Sequence, residues 1–445
     1  MSGSFDAVVV GAGFAGVAAA TSLAEEGARV LVLETRQRPG GRATSWVDPA
    51  TGEVEDNGQH VLASFYAETL RLLRRLGTEE ALTADRTFHL RLWERGRGSF
   101  QLRCPDLPAP FHWVAAVGTC DRLSARSRLR ALDLPRQVRA LFERNGDGSR
   151  FTVESWLREI GGTEDLAAVL RPIALASLNE TPREGSAGLF ARVLDRVFQA
   201  PARASGLALP RRGLTDLLHG FEGFLAARGG EVRYRTTVLG VRVEAGRAAG
   251  LSLLGGARID SGCVVLAVPH DRAGWMLEPE HFGAYHGITR APWSPIVSTL
   301  NVYDRPILPS RFVGLLGTRT QWALDRGQAA TGGYRVGTVR SAAFEDEDRP
   351  ADSILDETTR ELAEAFPEAR EARLLRARVY KERHATMRSL PELQPLRPPA
   401  ETPARGLFLA GDWTATGLPP TIEGAVLSGH RAAALASAVL GTAAR

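Results

Sequence analysis

A chain of 445 residues with a 44% hydrophobic fraction can bury a large core, and its length alone suggests about three domains. The formal charge is only +4, with Lys381 the sole lysine; no nucleic-acid-reading module accompanies the arginines, which argues against nucleic acid as a partner. Cys104, Cys120 and Cys263 are scattered without metal-ligand spacing, there is no G-x-S-x-G nucleophile turn, no apolar run of about 20 residues and no basic leader, so the composition predicts a reduced, cytoplasmic enzyme without metal, disulfide framework or membrane-spanning helix.

The first element is the most informative. Residues 5–10 (Phe-Asp-Ala-Val-Val-Val) read as a strand, Gly11-Ala-Gly13-Phe14-Ala15-Gly16 as a turn opening a helix, and Arg29-Val-Leu-Val-Leu-Glu34 as a second strand ending in an acid. Gly11 allows the tight turn, Gly13 a close backbone approach to pyrophosphate, and Gly16 close packing of helix on strand. The helix N-terminus faces the phosphates, and Glu34 is spaced to accept a ribose diol. The chain then runs through Thr35 into a Gly40-Gly41-Arg42 turn.

Further along, residues 111–117 (Phe-His-Trp-Val-Ala-Ala-Val) are apolar and are followed by Arg122, Arg126, Arg128, Arg130, Arg136, Arg139 and Arg144 among leucines at roughly helical spacing. This pattern suits either the solvated face of helices in a substrate region, which we favour slightly, or an amphipathic contact with an anionic membrane surface. Residues 229–241 read as two short strands, 262–269 as a strand returning to the first sheet, and 296–303 as a strand of a second sheet. At the far end, residues 406–412 form a buried strand ending in Gly411-Asp412. Pro419 and Pro420 then precede a helix beginning near Thr421-Ile422, on which Gly424, Ser428 and Ala432 make a narrow small-residue face for packing on the sheet.

A nucleotide unit whose pieces lie near residues 10, 240 and 410 predicts an α/β fold with a discontinuous Rossmann-like domain (1–90, 206–272 and 401–445), interlaced with an α+β substrate domain made of a helical region (91–205) and a sheet with helices (273–400).

The Gly-Gly-Arg42 turn directly after the ribose acid resembles the second fingerprint of the FAD-dependent amine oxidase and carotenoid desaturase superfamily. Within it, Asp56-Asn-Gly-Gln-His60, Pro172-Ile-Ala-Leu-Ala-Ser-Leu-Asn179, Gln321-Trp-Ala-Leu-Asp325 and Ala410-Gly-Asp-Trp-Thr-Ala-Thr-Gly-Leu-Pro-Pro-Thr-Ile-Glu-Gly are similar, over nearly the whole chain, to the hydroxysqualene dehydroxylase family of bacterial hopanoid pathways. Residues 111–150 depart from the leucine-rich pattern of that family.

The resemblance implies non-covalent FAD held by Gly11, Gly13, Phe14, Ala15, Gly16, Glu34, Thr35, Gly41, Arg42, Gly58, Gln59, His60, the backbone of Val238, Gly411, Asp412, Thr421 and Ile422. The helix at Thr421 would aim its positive end at the flavin pyrimidine ring. It further implies a long-chain isoprenoid alcohol as substrate, replacement of its hydroxyl by hydrogen, an unidentified electron donor, and peripheral contact with the inner face of a membrane. His60 is the first candidate near the reacting carbon, with Asn179 and Asp325 as groups holding the hydroxyl; each has a plain structural alternative, as a loop-ordering, turn-capping or surface-turn residue. Other flavoenzymes of the superfamily (a carotenoid desaturase, an isomerase or an amine oxidase) and a flavin-free prenyl-lipid escort protein are the competing readings.

Overall fold

A computed structural model describes residues 5–145, 150–278 and 282–443. Its first layer is a five-stranded parallel sheet. β1 (Ala7–Val10) sits between β2 (Val30–Leu33) and β14 (Val264–Leu266), with β10 (Glu231–Arg233) on one edge and β20 (Leu407–Leu409) on the other. Every residue of the three inner strands and of β20 is buried, as expected of short Val/Leu runs covered on both faces. The strands come from three separated stretches of chain, so the loops at the carboxyl ends of β1, β2, β14 and β20 converge on one crevice.

One face of this sheet is covered by α1 (Phe14–Glu25) and the C-terminal α13 (Ile422–Ala443), with α2 (Ala67–Leu76) and α8 (Phe221–Ala226) beside them. The backbones of α13 and α1 come together at Gly429, where an added Cβ would lie 2.2 Å from the Ala15 carbonyl oxygen. The expected stripe is used differently: Ala432 is buried, and Ser428 accepts the Gly411 N–H at 2.7 Å. The other face carries the antiparallel sheet of β11 (Val238–Glu244), β12 (Arg247–Leu253) and β13 (Arg258–Asp260), with α9 (His270–Met276).

The second layer is a seven-stranded sheet in the order β19 (Leu374–Met387), β15 (Trp293–Tyr303), β18 (Tyr334–Ser341), β17 (Trp322–Gln328), β16 (Phe312–Leu316), β7 (His89–Glu94) and β8 (Gly98–Arg103). All neighbours are antiparallel except β16 and β7. Residues 91–103 were expected in a helical region; instead they complete the β7–β8 hairpin, because Leu90, Leu92, Phe100 and Leu102 alternate onto the core face.

Side chains alternate across this sheet. Tyr303, Val313, Leu315, Ala323 and Val336 pack on α11 (Ala351–Ala365), which lies beyond the short α10 (His286–Thr289) in the chain and is followed by α12 (Pro367–Glu371). On the opposite, inner face, Leu92, Trp322, Leu324 and Val339 join a cluster with α3 (Phe111–Thr119), α4 (Ala125–Asn145), α5 (Val153–Glu159), α6 (Glu164–Leu178) and α7 (Ala187–Gln199).

A small ribbon, β3 (Ser45–Val47) and β4 (Val54–Asp56), ties the layers together. Glu53 pairs with Arg376 at 2.8 Å and Glu55 with Arg378 at 3.0 Å, both on β19. Two further antiparallel pairs join β9 (Leu207–Pro210) to β5 (Leu62–Ala63) and β6 (Leu82–Ala84).

The arginine-rich stretch is not one solvated stripe. Arg122 is drawn into ion pairs with Glu94 (2.7 Å) and Asp165 (2.5 Å), Arg128 donates to the Cys120 carbonyl, and Arg136 pairs with Asp133. Arg126, Arg130 and Arg139 are exposed, and the side chain of Arg144 lies outside the described residues. Among the described residues no helix is long and apolar enough to cross a membrane.

Candidate active site

The glycine turn divides its labour. Gly11 has φ +99°, and a Cβ there would meet the Ala267 carbonyl oxygen at 2.5 Å; a Cβ on Gly16 would lie 1.9 Å from the Gly11 oxygen. Those two glycines are required by the protein itself. Gly13 is different: its backbone is extended, and the nearest atom to an added Cβ is the Gly41 Cα at 4.0 Å. Its conformation and surroundings both accept a side chain, so the approach over it is open and has room for a ligand. No side chain caps the N-terminus of α1, which leaves its first-turn N–H groups for an anion.

Glu34 is buried at the end of β2. One carboxylate oxygen accepts the Ala12 N–H at 2.8 Å and the other the Arg36 N–H at 2.7 Å, which fixes the carboxylate and leaves a lone pair on each oxygen for a diol. The second turn crosses the first: Gly40 pairs with Gly13, and a Cβ on Gly41 (φ +62°) would lie 3.3 Å from the Gly13 Cα. Arg42 then reaches Asp412 at 2.6 Å and the Ala385 carbonyl at 3.1 Å, with its guanidinium over the Trp293 ring. This joins the β2 and β20 loops across the crevice. The cradle, the acid and the arginine therefore fit a dinucleotide with a flavin.

From β20 the chain turns at Gly411 (φ +147°) into Asp412 and reaches α13 through Leu418–Pro420. Thr421 Oγ1 accepts the Gly424 N–H and caps the helix. Arg397, which sequence reasoning missed, holds this loop from inside. It donates to the carbonyls of Asp412 (2.6 Å) and Leu418 (2.7 Å), and burial pulls its guanidinium pKa down to about 10. In the first turn of α13, the buried Glu423 accepts the Thr69 N–H (2.9 Å), the Thr69 hydroxyl (2.8 Å), the Glu68 N–H and Arg196 (3.0 Å), fastening α13 to α2 and α7. Beside it a small cavity is lined by Phe65, Tyr66, Val193 and Leu418, and burial next to Glu423 raises the Tyr66 phenol to about 12. Val238 is buried at the start of β11, close behind β10.

The loop after β4 crosses to the inner face of the large sheet. Gly58 comes to Ser298, and the Gln59 carboxamide lies on Gly337, where an added Cβ would meet it at 2.7–3.0 Å. The His60 Nδ1–H donates to the Gly58 carbonyl at 3.0 Å, which leaves Nε2 as a lone pair. Burial lowers its pKa; Asp56 opposes this, and Arg326 and Arg42 reinforce it. Asp56 itself is anchored by Arg326 (2.8 Å), the Ser45 hydroxyl (2.7 Å) and the Leu214 N–H (3.0 Å). His60 thus lies among residues of the cofactor crevice and of the large sheet.

The two other candidates are engaged elsewhere. Asn179 caps α6 with φ +47° and uses its side chain on the Ser294 carbonyl, the Thr386 hydroxyl and the Ala342 N–H. It is a buried clamp between α6 and the large sheet. Asp325 is exposed and accepts the Gly327 N–H at 2.8 Å, as a turn residue at an irregularity of β17. Strand parity turns it outward and turns its neighbour Arg326 in to Asp56. Sequence reasoning also missed Arg326; the alternation Trp322, Leu324, Arg326 was the available signal.

The profile of the flavin containing amine oxidoreductase family matches residues 14–437. The chain is similar to the hydroxysqualene dehydroxylase of Rhodopseudomonas palustris, at 31% identity over 96% of this chain and 97% of that one. It is also similar to a probable zeta-carotene desaturase of Synechococcus elongatus, at 27% identity with 96% and 97% covered. A solved oxidoreductase from Methanosarcina mazei shares the fold, with a TM-score of 0.71 at 19% identity over 95% of this chain and 98% of that one. With the glycine cradle, Glu34 and the Arg42–Asp412 closure in place, the chain belongs to the flavin containing amine oxidoreductase family and is a FAD-dependent oxidoreductase.

Proposed function

We propose that this enzyme reduces hydroxysqualene to squalene. The observation that carries the reading is the full-length relationship to the hydroxysqualene dehydroxylase of R. palustris, whose length this chain covers at 97%. Bound without a covalent link and reduced by an external donor, FAD supplies the hydride that replaces the hydroxyl, which leaves as water.

The chain's own residues meet the other demands. The glycine turns and Glu34 hold the dinucleotide, and the N-terminus of α13 favours negative charge at the flavin ring. The apolar cluster of the inner face reaches the flavin-side loop at Val61 and Phe65 and excludes water from a leaving group that departs with positive charge behind it. His60, whose free Nε2 lone pair takes up a proton from solvent and passes it on, relays the proton the departing hydroxyl needs.

A polyisoprenoid is drawn from lipid, since each methylene left in water costs about 0.8 kcal/mol. Phe111 (62% exposed), Val114 and Leu129 (70%), with Arg126, Arg130 and Arg139 near them in the chain, form the surface we assign to contact with the cytoplasmic face of an anionic membrane.

The test is anaerobic: photoreduced enzyme mixed with hydroxysqualene should return to the oxidised flavin spectrum and yield squalene in proportion to flavin. Flavin that stays reduced in the presence of the alcohol sinks the proposal. The likeness to the probable zeta-carotene desaturase supports a second reading, in which oxidised enzyme is reduced by a carotene or by phytoene; the same spectra distinguish it.

A further inference from the structure

Among the described residues, the buried polar atoms on the inner face of the large sheet that have no hydrogen-bond partner include the Gln59 Oε1 and the Trp322 Nε1. The backbone positions that carry them are diagonal neighbours by strand register. Gln59 rests on Gly337 of β18; Gly337 faces Leu324 of β17, and Trp322 is two residues before Leu324, paired with Val339. Residues so related lie on one face, diagonally about 7–8 Å apart at the backbone, within reach of long side chains. The indole is 4% exposed and held in place by stacking on Phe312, ring centroids 4.6 Å apart at 8°.

None of the polar groups nearby pairs these two atoms: Leu324 and Val339 are buried in an apolar cluster against which Val61, Phe65 and Ile296 pack, and Ser298 and Arg335 of the same face make no hydrogen bond to either atom. Leaving a buried donor or acceptor unmade costs about 1–3 kcal/mol each. A hydrocarbon entering this site relieves none of that cost. An alcohol relieves it, because its oxygen accepts the indole N–H while its O–H donates to the carboxamide oxygen.

We propose that Gln59 and Trp322 together bind the hydroxyl of a long-chain isoprenoid alcohol and so make the site select the alcohol over the hydrocarbon of the same skeleton. This rests on the reductive reading above and names the groups that read the hydroxyl. A pocket built around a substrate hydroxyl rejects the analogue lacking it far more strongly than an apolar pocket rejects an added one.

The test uses oxidised holoenzyme, which cannot turn over, titrated with hydroxysqualene or with squalene while the flavin absorbance is followed. Wild type should bind the alcohol the more tightly. Trp322→Phe keeps an aromatic ring but removes the five-membered ring with its N–H, and Gln59→Leu removes the carboxamide; each should lower the alcohol-to-hydrocarbon affinity ratio about tenfold. Gly337→Ala, which displaces the carboxamide without deleting it, should do the same. An unchanged ratio, a wild type without preference, or equal weakening of both ligands overturns the proposal. If reduced wild type forms no squalene while the ratio still responds to the substitutions, the hydroxyl site stands and the reaction assigned above falls. Squalene formation with an unresponsive ratio does the opposite: the reaction stands and the hydroxyl site falls.

Discussion

The three glycines of the first turn should fail in different ways when each is replaced by alanine. At Gly16 the new Cβ would sit 1.9 Å from the Gly11 oxygen, against an ordinary contact of 3.4–4 Å, so the backbone itself must move by more than an ångström. Overpacking of this kind costs about 1–3 kcal/mol, and a rigid backbone neighbour puts it at the upper end. At Gly11 a contact of 2.5 Å adds to a left-handed backbone, worth a further 1–2 kcal/mol or so for a residue with a Cβ. Gly13→Ala meets nothing nearer than 4.0 Å and keeps an extended backbone. Its stability change should stay within about 1 kcal/mol, the mild loss of a glycine N-cap being offset by a stiffer unfolded chain. The cost at Gly13 should appear only on binding: a methyl in the pyrophosphate approach should weaken FAD by about 1–3 kcal/mol, roughly 5- to 150-fold. Urea denaturation of flavin-stripped protein measures the first quantity, and titration with FAD the second. The reasoning fails if Gly13→Ala keeps wild-type FAD affinity, or if Gly16→Ala apoprotein is as stable as Gly13→Ala.

Stability should fall as pH drops below about 6.5, because burial lowers the pKa values of His60, His270 and His430 in the folded state while the unfolded chain takes up protons at the ordinary value. The loss begins at the unfolded pKa and ends at each lowered folded one, and a melting temperature flat from pH 8 to 5 would contradict it. At His430, Arg75 donates to Nε2 and Nδ1 donates to Glu68, and His430→Gln should flatten part of the profile. Arg397→Met leaves the Asp412 and Leu418 carbonyls without their donor and should cost about 2–6 kcal/mol together with flavin retention; a variant that melts and retains flavin like wild type refutes the clamp. Phe111→Ser combined with Leu129→Ser should reduce co-sedimentation with anionic liposomes at least tenfold, roughly the apolar burial of two large side chains, and undiminished sedimentation removes that surface from the account.

What could be read from the sequence was what local pattern encodes. The strand, glycine turn, helix and Glu34 form a contiguous string whose spacing is its geometry, and so do the strand and loop leading to α13. Residues whose role depends on distant chain were hidden. Arg397 is buried and structural, yet among so many arginines nothing nearby distinguishes it from a solvated one, whereas Arg326 carried only the weak signal of its alternation with Trp322 and Leu324. Glu423 stands in the sequence as an acid in the first turn of a helix, and in the structure it anchors that helix to two others. Asp325 lies on the opposite strand face from Trp322, Leu324 and Arg326, and at the frayed end of β17, beyond the part covered by α11 at Ala323, that face is open to solvent. The β7–β8 hairpin was legible in the alternation of residues 89–94 and 98–103 about Gly96 and Gly98, but its partner β16 lies more than two hundred residues away, so a helical region seemed the simpler continuation.

The cofactor frame does not determine which way electrons flow. Stabilising negative charge at the N-terminus of α13 assists a reductive and an oxidative half-reaction alike, and the relatives with similar coverage include one named for dehydroxylation and one named for desaturation. The distinction has to lie on the other wall of the crevice, where the substrate is. There a single loop makes every relevant contact in four residues: Gly58 on Ser298, Gln59 on Gly337, His60 under the fields of Arg42, Asp56 and Arg326, and Val61 against the apolar cluster. A hydrocarbon needs only the last of these. An unpaired carboxamide oxygen, an unpaired indole and an imidazole with a free lone pair are costly to keep beside an apolar core, and in the proposal above the cost is offset by a substrate that brings a hydroxyl to the same place.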